Sequence, residues 1–261
     1  MNPSDHRIPF IGVAFMLALG GCTGVPNREA DDRPATPSAT ASPDATNTED
    51  ALPPAAQGLE PCPGDADREF VVRTGGRRIT GLVRGSGDRV AVLSHQSRGT
   101  PCDLAALGAL LNKAGFRVVA WTADSGIDVK ALKQLVARER ARGAANVVLV
   151  GASAGGARSL VAAGAIEPPV DAVVALSPPD LDLVAGDVER AVERYDGPMM
   201  VVAGEGDPGF AEVPAKLQPL HDGPEDIRAI AGSSSHGKDF VLRRTEPLAA
   251  DVVAFLTQHA G

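Results

Sequence analysis

The chain has 261 residues, 44% of them hydrophobic and 22% charged, and its 25 basic and 33 acidic residues give a formal net charge of −8. These fractions are typical of globular proteins and exclude collagen-like, coiled-coil and wholly disordered chains. The negative charge, without a stripe of Lys and Arg interleaved with aromatic residues, argues against nucleic acid as a partner.

The first 22 residues have the pattern of an export signal. Arg7 precedes a mostly apolar run from Ile8 to Gly21, whose 14 residues fall short of the about 20 that a membrane-spanning helix needs. The run ends in Leu19-Gly20-Gly21-Cys22, which resembles the lipobox of bacterial lipoproteins, where the cysteine is acylated and becomes the new N-terminus. The resemblance implies an exported protein that is lipid-anchored to the outer face of a bacterial membrane. An ordinary signal peptide with an incidental cysteine is the alternative.

Residues 23–60 are predicted to be a disordered tether. They include 6 Pro, 8 Ala, 5 Thr and 7 acidic residues, but their sizeable apolar side chains are Val25, Leu52 and Leu59 alone. Such a segment cannot bury enough apolar surface to offset the entropy lost on ordering. The remaining residues, 61–261, are enough for a single domain with a well-buried core.

Within residues 61–261, short β-branched runs alternate with helical spacings such as Leu248, Val252, Val253 and Leu256. Eight strands are predicted, the first two forming a hairpin at Gly75-Gly76: 70–73, 79–83, 90–93, 118–121, 147–150, 173–176, 199–202 and the shorter 227–230. The continuous apolar runs suit strands that are covered by helices on both faces. This alternation predicts an α/β fold with a mostly parallel, doubly wound sheet.

A possible nucleophile follows the strand 147–150. Gly151-Ala152-Ser153-Ala154-Gly155 fits the pattern G-x-S-x-G and leads into a helical stretch, 157–163. A sharp strand-to-helix turn of this kind lifts the serine hydroxyl clear of the sheet, and only small residues beside it avoid collision. A Gly-rich packing turn without chemistry is the alternative.

With this motif, residues 68–258 resemble the α/β-hydrolase family, and in particular its small dienelactone-hydrolase-like serine hydrolases. The resemblance implies an eight-stranded α/β-hydrolase fold, here without a lid domain, and a triad whose members follow in the order nucleophile, acid, histidine. Asp207 and His236, each placed after a predicted strand, match the acid and the histidine. Together with Ser153 they supply a nucleophile, a base and a carboxylate that fixes the imidazole tautomer. Glu205 and Asp180 are alternative acids.

The segment after the strand 90–93 matches the oxyanion region of the family. That region usually has His-Gly and then a residue whose main-chain N–H stabilises the oxyanion, whereas this chain has His95-Gln96-Ser97. Ser97 matches the donor and Gln96 is the alternative, because Gln stands where Gly is usual. The second donor is expected to be Ala154, the residue after the nucleophile. His95 is expected to be structural.

Two cysteines remain besides Cys22. Outside the cytoplasm, Cys62 and Cys102 most simply form a disulfide, because they have no paired spacing of a metal site. No metal and no cofactor are expected, and the protein is expected to be a monomer.

The predicted function is that of a membrane-tethered serine hydrolase, which cleaves a small-molecule carboxylic ester through an acyl-enzyme. An amidase or peptidase that uses the same residues, and a non-catalytic binding lipoprotein, remain alternatives.

Overall fold

The structure of the protein is a computed structural model, and it describes Cys62 and residues 68–74, 76–124, 126–179, 187–244 and 246–261. The predicted signal segment with Cys22, the predicted tether 23–60 and the alternative acid Asp180 lie outside the described residues. Within the described ranges, no helix combines the length and the apolar character needed to cross a bilayer.

The described residues contain the predicted eight-stranded sheet. Its strands are β1 (Arg68–Thr74), β2 (Arg77–Arg84), β3 (Arg89–Ser94), β4 (Arg117–Ala123), β5 (Asn146–Ala152), β6 (Ala172–Leu176), β7 (Met199–Gly204) and β8 (Glu225–Ile230). The strand order is β1-β2-β4-β3-β5-β6-β7-β8. The pairs β1/β2 and β2/β4 are antiparallel, and the pairs from β4 to β8 are parallel.

Helices cover both faces of this sheet. They are α1 (Ala105–Lys113), α2 (Val129–Ala141), α3 (Ala154–Ala163), α4 (Val188–Val192), α5 (Val213–Leu217) and α6 (Pro247–His259), with 3-10 helices η1 (Pro101–Leu104), η2 (Gln218–Leu220) and η3 (Gly237–Val241). The core has two layers: α2 and α3 pack on the face that holds Val92, and α1 and α6 pack on the face that holds Leu93. Adjacent residues of one strand are therefore both buried, which explains the continuous apolar runs.

The strand order predicts where a ligand would bind, at the carboxyl edge of the sheet. The chain passes from β3 outward to β4 and then returns to β5 on the other side of β3. In open α/β sheets, ligands bind where the strand order reverses in this way, beyond the carboxyl ends of the strands. The segments that follow β3 and β5 are those that contain Gln96 and Ser153.

The predicted disulfide between Cys62 and Cys102 is present, with an S–S distance of 2.13 Å. Cys102 lies in η1, where its main-chain N–H donates to the Thr100 hydroxyl at 3.2 Å. The Thr100 N–H in turn donates to the Asp103 carboxylate at 3.3 Å. This capping box and the disulfide fix the connection between the oxyanion segment and α1.

Candidate active site

Ser153 has an unfavourable backbone conformation between β5 and α3. Its φ of 48° and ψ of −121° place it in a region that residues with a side chain rarely adopt. The residue is 9% exposed, and its hydroxyl makes no capping hydrogen bond to α3. The hydroxyl is therefore held at the carboxyl edge of the sheet, where it is available to a bound molecule.

The glycines beside Ser153 are required by close packing. A Cβ on Gly151 would lie 2.3 Å from the carbonyl oxygen of Gly155. A Cβ on Gly155 would lie 2.3 Å from the carbonyl oxygen of Ser94 and 2.4 Å from that of His95. The first turn of α3 is thus pressed against the end of β3, which brings Ala154 next to the predicted oxyanion segment.

Asp207 and His236 are joined by a hydrogen bond. Asp207 follows β7 and is 6% exposed, and His236 Nδ1 lies 2.8 Å from Asp207 Oδ2. Because an ionised carboxylate only accepts hydrogen bonds, Nδ1 carries the proton of the neutral ring and Nε2 is the basic nitrogen. The ring of Phe210 packs edge-on against the imidazole, with the ring centroids 4.3 Å apart.

The loop that carries His236 runs beside Ser153. A Cβ on Gly237, the next residue, would lie 3.4 Å from the main-chain nitrogen of Ser153. The imidazole of His236 is hydrogen-bonded to Asp207 and, among the described residues, not to the Ser153 hydroxyl.

The alternative acid Glu205 and two further histidines, His221 and His259, are placed differently from Asp207 and His236. Glu205 is exposed, and its carboxylate accepts a hydrogen bond from the main-chain N–H of Gly232 at 2.9 Å. Asp180 lies outside the described residues. His221 is buried against Tyr195, with ring centroids 6.2 Å apart, and His259 lies at the end of α6.

His95 supports the predicted oxyanion segment, residues 95–97. Its Nδ1–H donates to the carbonyl oxygen of Gln96 at 2.7 Å, and its Nε2 accepts from the Thr122 hydroxyl at 3.1 Å. Burial lowers the pKa of the imidazole below its ordinary 6.5, so the ring is neutral near pH 7. The Gln96 carbonyl accepts a second hydrogen bond from the Gly99 N–H at 3.0 Å, whereas Ser97 is exposed.

Two side-chain contacts near His236 were missed in the sequence, that of Phe210 with the imidazole and that of the Gln96 carboxamide with Lys238. Phe210 carried a weak signal, since it is an aromatic residue three positions after the predicted acid. The Gln96 side chain accepts a hydrogen bond at Oε1 from the Lys238 N–H at 3.3 Å. Nothing in the sequence indicated this contact. The described residues contain no group of three or more His, Cys, Asp or Glu side chains suited to hold a metal ion.

The arrangement combines four elements needed for acyl transfer. A serine hydroxyl stands at a strand-to-helix turn, an imidazole in the adjoining loop is oriented by a buried carboxylate, and the first turn of α3 packs against the main chain at the end of β3. The first N–H groups of a helix have no partner within the helix, and Ala154 is the first residue of α3, so its N–H is of the kind that can bind an anion.

Comparison with known proteins identifies the fold. No protein-family profile matches the sequence, and no curated protein is detectably similar to it.

Among solved structures, a predicted CIB-like hydrolase from Thermoplasma acidophilum is 21% identical, with a TM-score of 0.58 over 75% of this chain and 100% of that one. The esterase domain of a Rhodothermus marinus protein is 16% identical, with a TM-score of 0.62 over 76% and 100% of the two chains. Dienelactone hydrolase from Anabaena variabilis is 17% identical, with a TM-score of 0.55 over 75% and 99%. With its eight-stranded, mostly parallel sheet, the chain therefore has the α/β-hydrolase fold.

Proposed function

We propose that this protein is a serine hydrolase that cleaves carboxylic esters, with Ser153 as nucleophile, His236 as base and Asp207 as the orienting acid. The observation that carries the proposal is the 2.8 Å hydrogen bond between His236 Nδ1 and Asp207 Oδ2, in the loop that adjoins Ser153. That bond leaves Nε2 as the proton acceptor, which is the tautomer that a general base needs. The similarity to an esterase domain supports an ester as the substrate class.

In the acylation step, Ser153 Oγ attacks the ester carbonyl carbon while His236 Nε2 takes the hydroxyl proton. The carbonyl π electrons move to the oxygen, and the resulting oxyanion accepts hydrogen bonds from the main-chain N–H of Ala154 and of Ser97 or Gln96. The tetrahedral intermediate then collapses and breaks the bond to the leaving alcohol. The alcohol takes the proton from His236, and an acyl-Ser153 ester remains.

Deacylation repeats these steps with water as the nucleophile. His236 removes a proton from the water, the hydroxide attacks the acyl carbon, and Ser153 leaves with the proton returned by the imidazole. Asp207 stabilises the imidazolium in both steps without taking the proton. Because Asp207 is nearly buried, its interaction with the imidazolium is weakly screened by solvent.

The proposal is tested by labelling with a fluorophosphonate and by hydrolysis of p-nitrophenyl esters of graded chain length. Ser153→Ala should abolish labelling and nearly all hydrolysis, and His236→Ala should cost about as much, since the two groups act as a unit. Ser86→Ala is the matched control, because Ser86 is an exposed serine in the β2–β3 turn at the opposite edge of the sheet. A wild-type protein that neither labels nor hydrolyses any ester would instead favour a non-catalytic binding protein.

We also propose that Cys22 is lipidated and that the hydrolase is held on the outer face of a bacterial membrane. The support is the sequence Leu19-Gly20-Gly21-Cys22 after a short apolar run. Expression with a radioactive fatty acid should label the wild-type protein, and Cys22→Ser should lose the label and the membrane-bound fraction. Equal partition of the two proteins into detergent would contradict this anchor.

A further inference from the structure

The Gln96 side chain links the oxyanion segment to the loop that carries His236. Its Oε1 accepts a hydrogen bond from the Lys238 N–H at 3.3 Å, across 142 positions of sequence. The main chain of Gln96 is fixed at the same time, because its carbonyl accepts from His95 Nδ1 at 2.7 Å and from the Gly99 N–H at 3.0 Å. The carboxamide therefore extends from an anchored backbone.

The Lys238 N–H is a group that needs an external acceptor. It lies in the first turn of η3, where main-chain N–H groups have no partner within the helix. The residue that precedes η3, His236, provides no side-chain cap. The Gln96 carboxamide supplies the acceptor that a capping residue would otherwise provide.

The conformation and small size of Gly237 allow the contact between Gln96 and Lys238. Its φ of 52° lies in the left-handed region that favours glycine, and it is buried. A Cβ on Gly237 would lie 2.9 Å from Gln96 Oε1, and 3.4 Å from both the Ala152 Cβ and the Ser153 nitrogen. The absence of a side chain at Gly237 therefore lets Gln96, the nucleophile turn and the histidine loop converge.

We propose that Gln96 is a positioning residue that braces the backbone of residues 236–238 and so sets the direction of the His236 imidazole. The inference rests on the proposed function. Asp207 fixes the ring at Nδ1, but the location of Nε2 depends also on the backbone that carries the ring. Displacements of about 1 Å in a catalytic group can cost about 100-fold in rate.

The test is Gln96→Met in the full chain, with Gln258→Met as the matched control. Methionine keeps the length of the side chain and the main-chain N–H at position 96 but lacks the carboxamide acceptor. Gln258 is exposed on α6 and undergoes the same chemical change. We expect kcat for a p-nitrophenyl ester to fall about 10- to 100-fold in Gln96→Met, with KM within about threefold, and neither value to change in the control.

The split between kcat and KM decides the outcome. A kcat within twofold of wild type would overturn the inference, and so would a raised KM with unchanged kcat, because Gln96 would then bind substrate rather than position His236. If the wild type and the control are also inactive, the proposed function itself has failed. If the wild type is active and Gln96→Met has the same kcat, the positioning role alone is refuted.

A second measurement on the unmodified chain keeps the test decisive if Gln96→Met does not fold. Amide hydrogen exchange at Lys238 should be slow in the wild type, because its N–H is bonded to Gln96. In a folded Gln96→Met protein the exchange should become faster at Lys238. Exchange at the rate of an unprotected amide in the wild type would show that the brace is absent in solution.

Discussion

The carboxylate of Glu205 accepts a hydrogen bond from the Gly232 N–H at 2.9 Å, although Glu205 is only two positions from Asp207. Glu205 is exposed and ties the end of β7 to the turn after β8, whereas Asp207 is buried and bonded to His236. The two neighbouring acids thus have different partners. Glu205 supports the turn after β8, and Asp207 orients the imidazole of His236.

This difference predicts unequal effects of removing the two charges. Asp207→Asn should lower kcat by about 10⁴-fold, because the amide favours the wrong imidazole tautomer and stabilises the imidazolium poorly. Glu205→Gln should lower kcat less than threefold, because its amide oxygen can still accept from Gly232. Steady-state ester hydrolysis by the two variants measures the effects. A larger loss in Glu205→Gln, or in Asp180→Asn, would reassign the acid.

A second prediction concerns Gly155, where α3 meets the end of β3. In Gly155→Ala the new Cβ would collide with the carbonyl oxygens of Ser94 and His95, at 2.3 and 2.4 Å. Backbone atoms cannot move away by a change of rotamer, as a side chain can, so the helix must shift. We expect Gly155→Ala to lower the free energy of unfolding by about 1–3 kcal/mol. The shift would separate Ala154 from the oxyanion segment, and we expect kcat to fall at least about 10-fold.

Gly164→Ala is the control for this prediction. Its Cβ would lie 2.3 Å from the carbonyl oxygen of Ala191, at the opposite end of α3 from Ser153. Both variants should lose stability in urea unfolding, but only Gly155→Ala should lose kcat per labelled active site. Equal kcat values for the two variants would contradict a catalytic requirement for the contact at Gly155.

A third prediction concerns the disulfide of Cys62 and Cys102, which are separated by 40 positions. A cross-link over a loop of that length should stabilise the protein by about 4 kcal/mol, because it restricts the unfolded chain. Urea unfolding with and without reductant, followed by fluorescence of the buried Trp121, measures the difference. The double variant Cys62→Ser/Cys102→Ser should match the reduced wild type. Alkylation of both thiols in the native, non-reduced protein would disprove the bond in solution.

The elements that sequence patterns predicted are those whose physical cause is local. Continuous apolar runs identified the five strands from β3 to β7, because both faces of that part of the sheet are covered. The G-x-S-x-G pattern located the strand-to-helix turn because the packing around Gly151 and Gly155 excludes larger residues. Asp207 and His236 were assigned through the resemblance to the α/β-hydrolase family, whose acid and histidine follow the nucleophile in that order and lie after strands.

The features that escaped prediction depend on contacts between distant segments. Nothing near Gln96 in the sequence indicates that its carboxamide reaches Lys238. Ser177, just after β6, adopts a φ of 46°, and its buried hydroxyl has no hydrogen-bond partner among the described residues; the surrounding sequence gives no signal for either property. The identity of a residue does not specify its tertiary partner, so such contacts require the folded structure.

The last prediction concerns the pH dependence of stability that arises from His95. Burial lowers the pKa of this imidazole, and the hydrogen bond to the Gln96 carbonyl offsets the effect only in part. In the unfolded chain the ring gains its proton near pH 6.5, whereas in the folded protein it does so at lower pH. Between these two pH values the unfolded state binds more protons, so the free energy of unfolding decreases as the pH falls.

The contribution of His95 should therefore be fully present above pH 6.5 and be lost progressively below it, with a slope of up to about 1.4 kcal/mol per pH unit. His95→Asn removes the titration, and its amide can still donate to the Gln96 carbonyl. We expect urea unfolding between pH 7.5 and pH 5 to show a shallower slope in this variant than in the wild type. Equal slopes would mean that His95 is protonated in the folded protein as readily as in the unfolded chain, so its burial in the oxyanion segment would not persist in solution.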